Sequence, residues 1–142
     1  MTVEMHPQRW GDPARASALP DGARALVEAV FGPAPTADPR SPSDRPGALP
    51  ASSLPDAVLT SLSDIVGVEH VLSDDETRRL RTRGKSTPDL LRARAGDLED
   101  APDVVVRPAD HAEVVEVLEL ATRHRVAVVP FGGGTCVTGG LA

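Results

Sequence analysis

The chain has 142 residues, with 15 Lys plus Arg against 21 Asp plus Glu and a formal net charge of −6. That is enough for one small domain, and the charge argues against nucleic acid or an anionic membrane surface as the main partner. One cysteine excludes an internal disulfide, no apolar run reaches membrane-spanning length and no secretory leader follows Met1, so a soluble cytoplasmic protein is expected.

Arginine supplies every basic side chain except Lys85, and Trp10, Phe31 and Phe131 are the only aromatics, so any core is aliphatic. Residues 1–19 are polar and irregular, with Arg9-Trp10-Gly11-Asp12-Pro13 standing out as a segment that pins the terminus onto a core. Ala23, Leu26, Val27, Val30 and Phe31 recur at helical spacing between Pro20 and Gly32, which predicts a packing helix with no chemistry. From Pro33 to Pro55 seven prolines exclude a buried helix or central strand. This stretch reads as a linker or strap, and Pro33–Ala51 is expected to be dispensable for the rest.

A second helix is predicted over Leu54–Val66, with Val58, Leu59, Leu62, Ile65 and Val66 as its stripe. Ser73-Asp74-Asp75-Glu76 reads as a capping box opening a short helix that contains Leu80. Arg78, Arg79, Arg81 and Arg83 read either as an anion site or as solvated charges answering that acidic start, and the second is favoured. Thr87-Pro88 opens another short helix closed by Gly96. Val104-Val105-Val106 reads as a buried strand. Asp110 and Glu113 then cap a helix whose stripe is Val114, Val117, Leu118 and Ala121, and Val126–Val129 is a second strand. Strand, helix, strand predicts a βαβ unit with parallel strands and a right-handed crossover, hence an α/β class.

The second strand runs into Pro130-Phe131-Gly132-Gly133-Gly134-Thr135-Cys136-Val137-Thr138-Gly139-Gly140, with five glycines in nine residues. Bare backbone of this kind takes positive φ and approaches a ligand closely, and its N–H groups form an anion cradle. A phosphate or pyrophosphate is the natural guest, since an ordinary turn needs one or two glycines. A Walker loop is excluded because Gly140 and Leu141 stand where lysine and a hydroxyl are needed. The dinucleotide fingerprint is excluded because Val137 occupies its third glycine position.

The loop resembles the pyrophosphate loop of the FAD-linked oxidases of the p-cresol methylhydroxylase/vanillyl-alcohol oxidase type, in which a strand ends in Pro-x-Gly-Gly-Gly-Thr-Ser. The lead-in Pro102-Asp103-Val104-Val105-Val106-Arg107-Pro108 and Asp110-His111-Ala112-Glu113-Val114-Val115 is similar to that family too. Phe131 after Pro130, the early Trp10-Gly11 and the Pro-rich lead-in make the alkyldihydroxyacetonephosphate synthase branch, which makes ether lipids, the nearest. The D-lactate/glycolate dehydrogenase branch usually has Pro-Arg there.

The resemblance implies FAD as cofactor, bound by Pro130, Phe131, Gly132, Gly133, Gly134, Thr135, Cys136, Thr138 and Gly139. It implies a non-covalent flavin, since Thr135 stands where covalent members carry histidine. The chain is thus organised as 1–54 (helix and Pro-rich linker) and 55–101 (helical lead-in), and the resemblance makes 102–142 the first βαβ unit of an incomplete FAD-binding domain. The catalytic residues, a small-molecule or lipid-precursor substrate and any homodimer contact belong to the full-length protein. No catalytic residue is therefore assigned here, and His6, His70, His111 and His124 show no metal-ligand pattern. A non-catalytic remnant or interaction module is the alternative from another class.

Overall fold

The computed structural model describes residues 8–11, 15, 17–33 and 47–140. The expectations for His6, for Asp12-Pro13 and for the linker over 34–46 lie outside the described residues. Among the described residues five α-helices and two short strands follow one another: α1 (Asp21–Phe31), α2 (Asp56–Val66), β1 (Val71–Leu72), α3 (Asp75–Leu80), α4 (Thr87–Arg94), β2 (Val105–Val106) and α5 (His111–His124).

The helix boundaries follow local chemistry. Pro20 and Pro55 precede α1 and α2, and Gly32 and Gly67 close them at φ +83° and +87°, where a side chain would be strained. Asp74, one residue later than expected, caps α3, its carboxylate accepting from the Thr77 N–H at 2.9 Å. That bond holds the Asp74 carboxyl below its ordinary pKa, so the cap strengthens above the carboxylate range and is lost as the pH falls through it. Ser86 caps α4 in a reciprocal box with Asp89, a signal the sequence reading passed over. Asp110 caps α5 as expected, accepting from the Glu113 N–H at 3.0 Å, while Glu113 reaches back to the Ala109 N–H.

The core lies between α2 and α5. Val58, Leu62 and Val66 of α2 meet Val117 and Leu120 of α5, and Leu54, Ile65, Val71, Val104, Val106 and Val126 pack around them. Two helices of this length bury a stripe only by facing each other, which removes their apolar area from water. The buried stripe of α5 is Val117, Leu120 and Ala121; Val114 and Leu118, expected inside, are 39% and 47% exposed. The helix is thus apolar on two sides. α1 buries none of its residues, and Leu26, Val30 and Phe31 stand exposed, so its expected packing partner is not among the described residues.

The sheet departs from the expected pairing. β2 pairs antiparallel with β1, Val71 opposite Val106 and Leu72 opposite Val105, extended by the Arg107 N–H to the His70 carbonyl at 3.0 Å. Val126–Val129 forms no ladder among the described residues, so the parallel strand pair of a βαβ unit is not present there. Val126 turns back instead, its N–H donating to the Ala121 carbonyl at 2.9 Å behind Arg125, which holds the left-handed conformation at φ 56°. The physical reason is coverage. Parallel strands are stable when both faces are packed, whereas Val128 and Val129 are 47% and 59% exposed.

The arginines of α3 and of the turn after it are neither an anion site nor solvated charges. Buried Arg78 donates to the Pro102 carbonyl at 2.7 Å and to the Pro50 carbonyl at 2.8 Å, and Arg79 donates to the Gly47 carbonyl at 3.1 Å. Arg83 lies within 2.9 Å of Asp97 and 3.1 Å of Asp100. Gly47 meets the backbone of Gly96 so closely that a Cβ there would overlap the Gly96 carbonyl oxygen. Gly47–Pro50 is therefore stapled to the fold, against the expectation that Pro33–Ala51 is dispensable. The reason is that prolines remove donors but leave carbonyls, and arginine forks take them. Arg78→Lys keeps the charge but cannot span both carbonyls. It is expected to cost about 1–2 kcal/mol in urea unfolding, against no change for an exposed arginine such as Arg123.

Candidate functional site

The glycine loop leaves α5 through the extended stretch 126–130 and folds over the start of α4. Gly134 and Gly139 take φ +65° and +74°; Gly132 and Gly133 do not. A Cβ on Gly134 would stand 2.8 Å from Phe131 Cζ, whereas one on Gly132 would meet nothing within 4 Å. The Phe131 ring therefore packs under Gly134, inside the loop, and the Arg81 guanidinium lies 5.3 Å from its centroid. This stacking is a cation–π contact that fixes the ring from outside. Pro130, Gly132, Gly133, Thr135 and Thr138 are exposed, and Phe131, Gly134, Cys136 and Gly139 are half-buried.

The fit of these residues to a pyrophosphate can be tested on the backbone. Among the described residues, the N–H groups of Gly132, Gly133, Gly134 and Thr135 have no protein acceptor. Gly132, Gly133 and Thr135 are exposed, and a Cβ would meet nothing within 4 Å at Gly132 and only the Thr135 methyl at 3.7 Å at Gly133, an arrangement that accepts an oxyanion. The Cys136 end is different. Its thiol lies 3.3 Å from the Thr138 hydroxyl. That hydroxyl first, then the N–H groups of Thr138, Gly140 and Gly139, draw the thiol below its ordinary pKa. The same donors that favour a thiolate favour any anion at that spot.

The lowered thiol pKa gives a pH prediction. Thiolate forms at lower pH than in a free cysteine, so alkylation of Cys136 by a maleimide should have its rate midpoint shifted to lower pH. Thr138→Val removes the hydroxyl beside the thiol and should move that midpoint back upward; an unmoved midpoint in stopped-flow alkylation would reject the assignment.

A second segment forms the floor of the loop. The Lys85 N–H donates to the Cys136 carbonyl at 2.5 Å. A Cβ on Gly84 would stand 2.6 Å from that same carbonyl oxygen, so only glycine permits the approach. Lys85, Ser86 and Asp89 are 6%, 4% and 1% exposed, and the Ser86 hydroxyl donates to Asp89 Oδ2 at 2.7 Å. Sequence reasoning missed this floor. Its signals were Lys85, alone among arginines, and the Ser86-x-x-Asp89 spacing.

Residues 102–142 match the profile of the FAD binding domain family. Over these residues the chain is similar to an FAD binding domain, which supports FAD as its cofactor. The chain is also similar to alkyldihydroxyacetonephosphate synthases: it is 38% identical to that of Trypanosoma brucei brucei over 93 residues, 66% of this chain and 15% of that protein. It is 41% identical to that of Dictyostelium discoideum over 71 residues, 49% of this chain and 12% of that protein. Protein Rv2250A of Mycobacterium tuberculosis is 45% identical over 103 residues, 70% of this chain and 66% of that protein. A solved alkyldihydroxyacetonephosphate synthase superposes with a TM-score of 0.77 at 22% identity, covering 96% of this chain and 30% of the other, which establishes the fold. The chain thus spans about a seventh of the synthases it matches in sequence. The mixed helix-and-strand class read from the sequence holds, without the parallel pairing expected within it, and no described helix is long and apolar enough to cross a membrane.

Proposed function

We propose that this chain is the N-terminal part of an FAD-dependent protein of the alkyldihydroxyacetonephosphate synthase kind, and that its glycine loop holds the FAD pyrophosphate. The observation that carries this reading is the row of acceptorless N–H groups from Gly132 to Thr135 beside the left-handed Gly134. Each charge-assisted bond from them contributes ~1.5–3 kcal/mol, so several replace the lysine of other phosphate loops. Pro130 ends the extended stretch, Phe131 props Gly134, and Thr135 and Thr138 add hydroxyl donors. Cys136 and Gly139 close the cradle. Bound FAD would supply the redox-capable ring, while these residues bind and orient its phosphates.

Thr135 offers no ring nitrogen to tether the flavin, so the cofactor is held without a covalent bond. Phe131 in place of arginine favours the synthase reading over the D-lactate/glycolate dehydrogenase type. The substrate is then a small lipid precursor, handled by residues outside this chain, in the cytoplasm and in a homodimeric assembly. The organisation 1–54, 55–101 and 102–142 accompanies this reading, with Gly47–Pro50 tied to the second part. The outward apolar side of α5 and exposed Val128 and Val129 suit a protein in which further chain packs there.

The test replaces the matching residues of the Trypanosoma brucei brucei synthase with this chain. The chimera should purify with visible flavin absorbance, and acid precipitation should leave the flavin in the supernatant and the pellet colourless. The 142-residue chain alone should bind FAD more weakly than the chimera, because one side of the cofactor lacks protein. A chimera that folds but retains no flavin would reject the reading in favour of a non-catalytic remnant. A coloured pellet would reject the non-covalent assignment.

A further inference from the structure

The segment around Trp10 is held to the floor of the loop by bonds that the proposed cofactor role does not account for. The Trp10 indole N–H donates to the Lys85 carbonyl at 2.9 Å, and the N–H of the same Lys85 donates to the Cys136 carbonyl. One residue therefore receives the tryptophan on one side and grips the loop on the other. Two further bonds fix the approach: Gln8 Nε2 donates to the Ala93 carbonyl at 3.3 Å, and Arg94 Nε donates to the Gln8 carbonyl at 3.2 Å.

The indole is not placed there by burial, since Trp10 is 61% exposed. Its hydrogen bond, together with the Gln8 pair, is what orients it. Lys85 cannot move to compensate for a lost partner: Gly84 is already in backbone contact with Cys136, and Ser86 is fixed by the buried Asp89 box. A rigid residue bonded on both sides couples its two partners.

We infer that Trp10 is a positioning residue for the glycine loop, acting through the backbone of Lys85 to set where the Cys136–Gly139 end of the cradle sits. The inference rests on the proposed pyrophosphate role of the loop for its consequence, but not for its geometry. A ligand held at the loop then feels the Gln8–Gly11 segment, and the single indole reports the state of the loop.

The experiment uses the whole chain, isotope-labelled, with two variants. Trp10→Phe keeps an aromatic ring and removes the donor. Gly84→Ala drives a Cβ into the Cys136 carbonyl from the other side of the coupling. Expected in Trp10→Phe are about fivefold faster exchange of the Lys85 amide and shifted amide resonances from Gly132 to Gly139, with α2 and α5 amides unmoved. Expected in Gly84→Ala is a shifted indole N–H resonance, assigned without ambiguity because the chain has one tryptophan. A merely structural tryptophan would alter global protection without this two-way local response. Unchanged Lys85 exchange and loop resonances in Trp10→Phe, or an unmoved indole in Gly84→Ala, would overturn the inference. Titration of FAD into the chimera separates the two readings: loss of about fivefold in affinity for Trp10→Phe supports the coupling, and equal affinity overturns its consequence. A chimera that never binds FAD would sink the flavin reading and leave the amide results to decide the coupling.

Discussion

Gly134→Val should abolish practical FAD binding, weakening it at least about 100-fold, or ~2.7 kcal/mol. Two costs add. Gly134 sits at φ +65°, where a β-branched residue is an outlier and the left-handed conformation alone costs roughly 1–2 kcal/mol. Its Cβ would also stand 2.8 Å from Phe131 Cζ, and the ring cannot swing away freely because Arg81 lies over it. The loop must therefore open, and the N–H groups of Gly132 to Thr135 are displaced with it. Gly133 is the informative contrast. It does not hold positive φ, and a Cβ there meets only the Thr135 methyl at 3.7 Å. Gly133→Ala should leave the melting temperature nearly unchanged, so any loss of affinity reports the ligand itself approaching that backbone. Titration of both variants in the chimera by flavin fluorescence decides the matter. Retained affinity in Gly134→Val would mean that another face of the loop meets the phosphates. Cys136→Ser should be neutral or mildly favourable, because a hydroxyl is a better donor than a thiol.

Leu120→Ala should destabilise the chain by ~2–4 kcal/mol in denaturant unfolding, a large share of what a domain of this size holds. Leu120 is 3% exposed and sits where α5 meets Val58, Leu62 and Val66 of α2. Among the described residues the core has no aromatic side chain, so few neighbours are large enough to collapse into the space left behind. Leu118→Ala on the outward side of the same helix is the control. Leu118 is 47% exposed, and its truncation should cost under about 1 kcal/mol in this chain. Equal losses at the two positions would show that the helix face is misassigned. If further chain covers the outward side in a longer protein, the Leu118 cost should rise there while the Leu120 cost stays the same.

What the sequence by itself determined was local. Pro20, Gly32, Gly67 and Asp110 mark helix ends through backbone chemistry that needs no distant partner, and α1, α2 and α5 lie where their periodicity put them. The glycine run announced an anion cradle, because bare backbone has few other uses at that density. Tertiary structure decided what the local signals leave degenerate. α5 carries apolar residues on two sides, and only the docking of α2 selects Val117 and Leu120 over Val114 and Leu118 as the buried stripe. Val104–Val106 could pair with any extended segment; β1, a two-residue strand with little signal of its own, takes that edge because the α2–β1 turn brings it there. The four arginines had the same sequence signature, yet Arg78 and Arg79 staple the Gly47–Pro50 strap, Arg83 meets Asp97 and Asp100, and Arg81 covers Phe131. A guanidinium's partner is set by which carbonyl or carboxylate lies within reach, and that depends on the packing of segments far apart in sequence. The same holds for Lys85, whose backbone meets Trp10 and Cys136 across 75 and 51 residues only after the chain has folded.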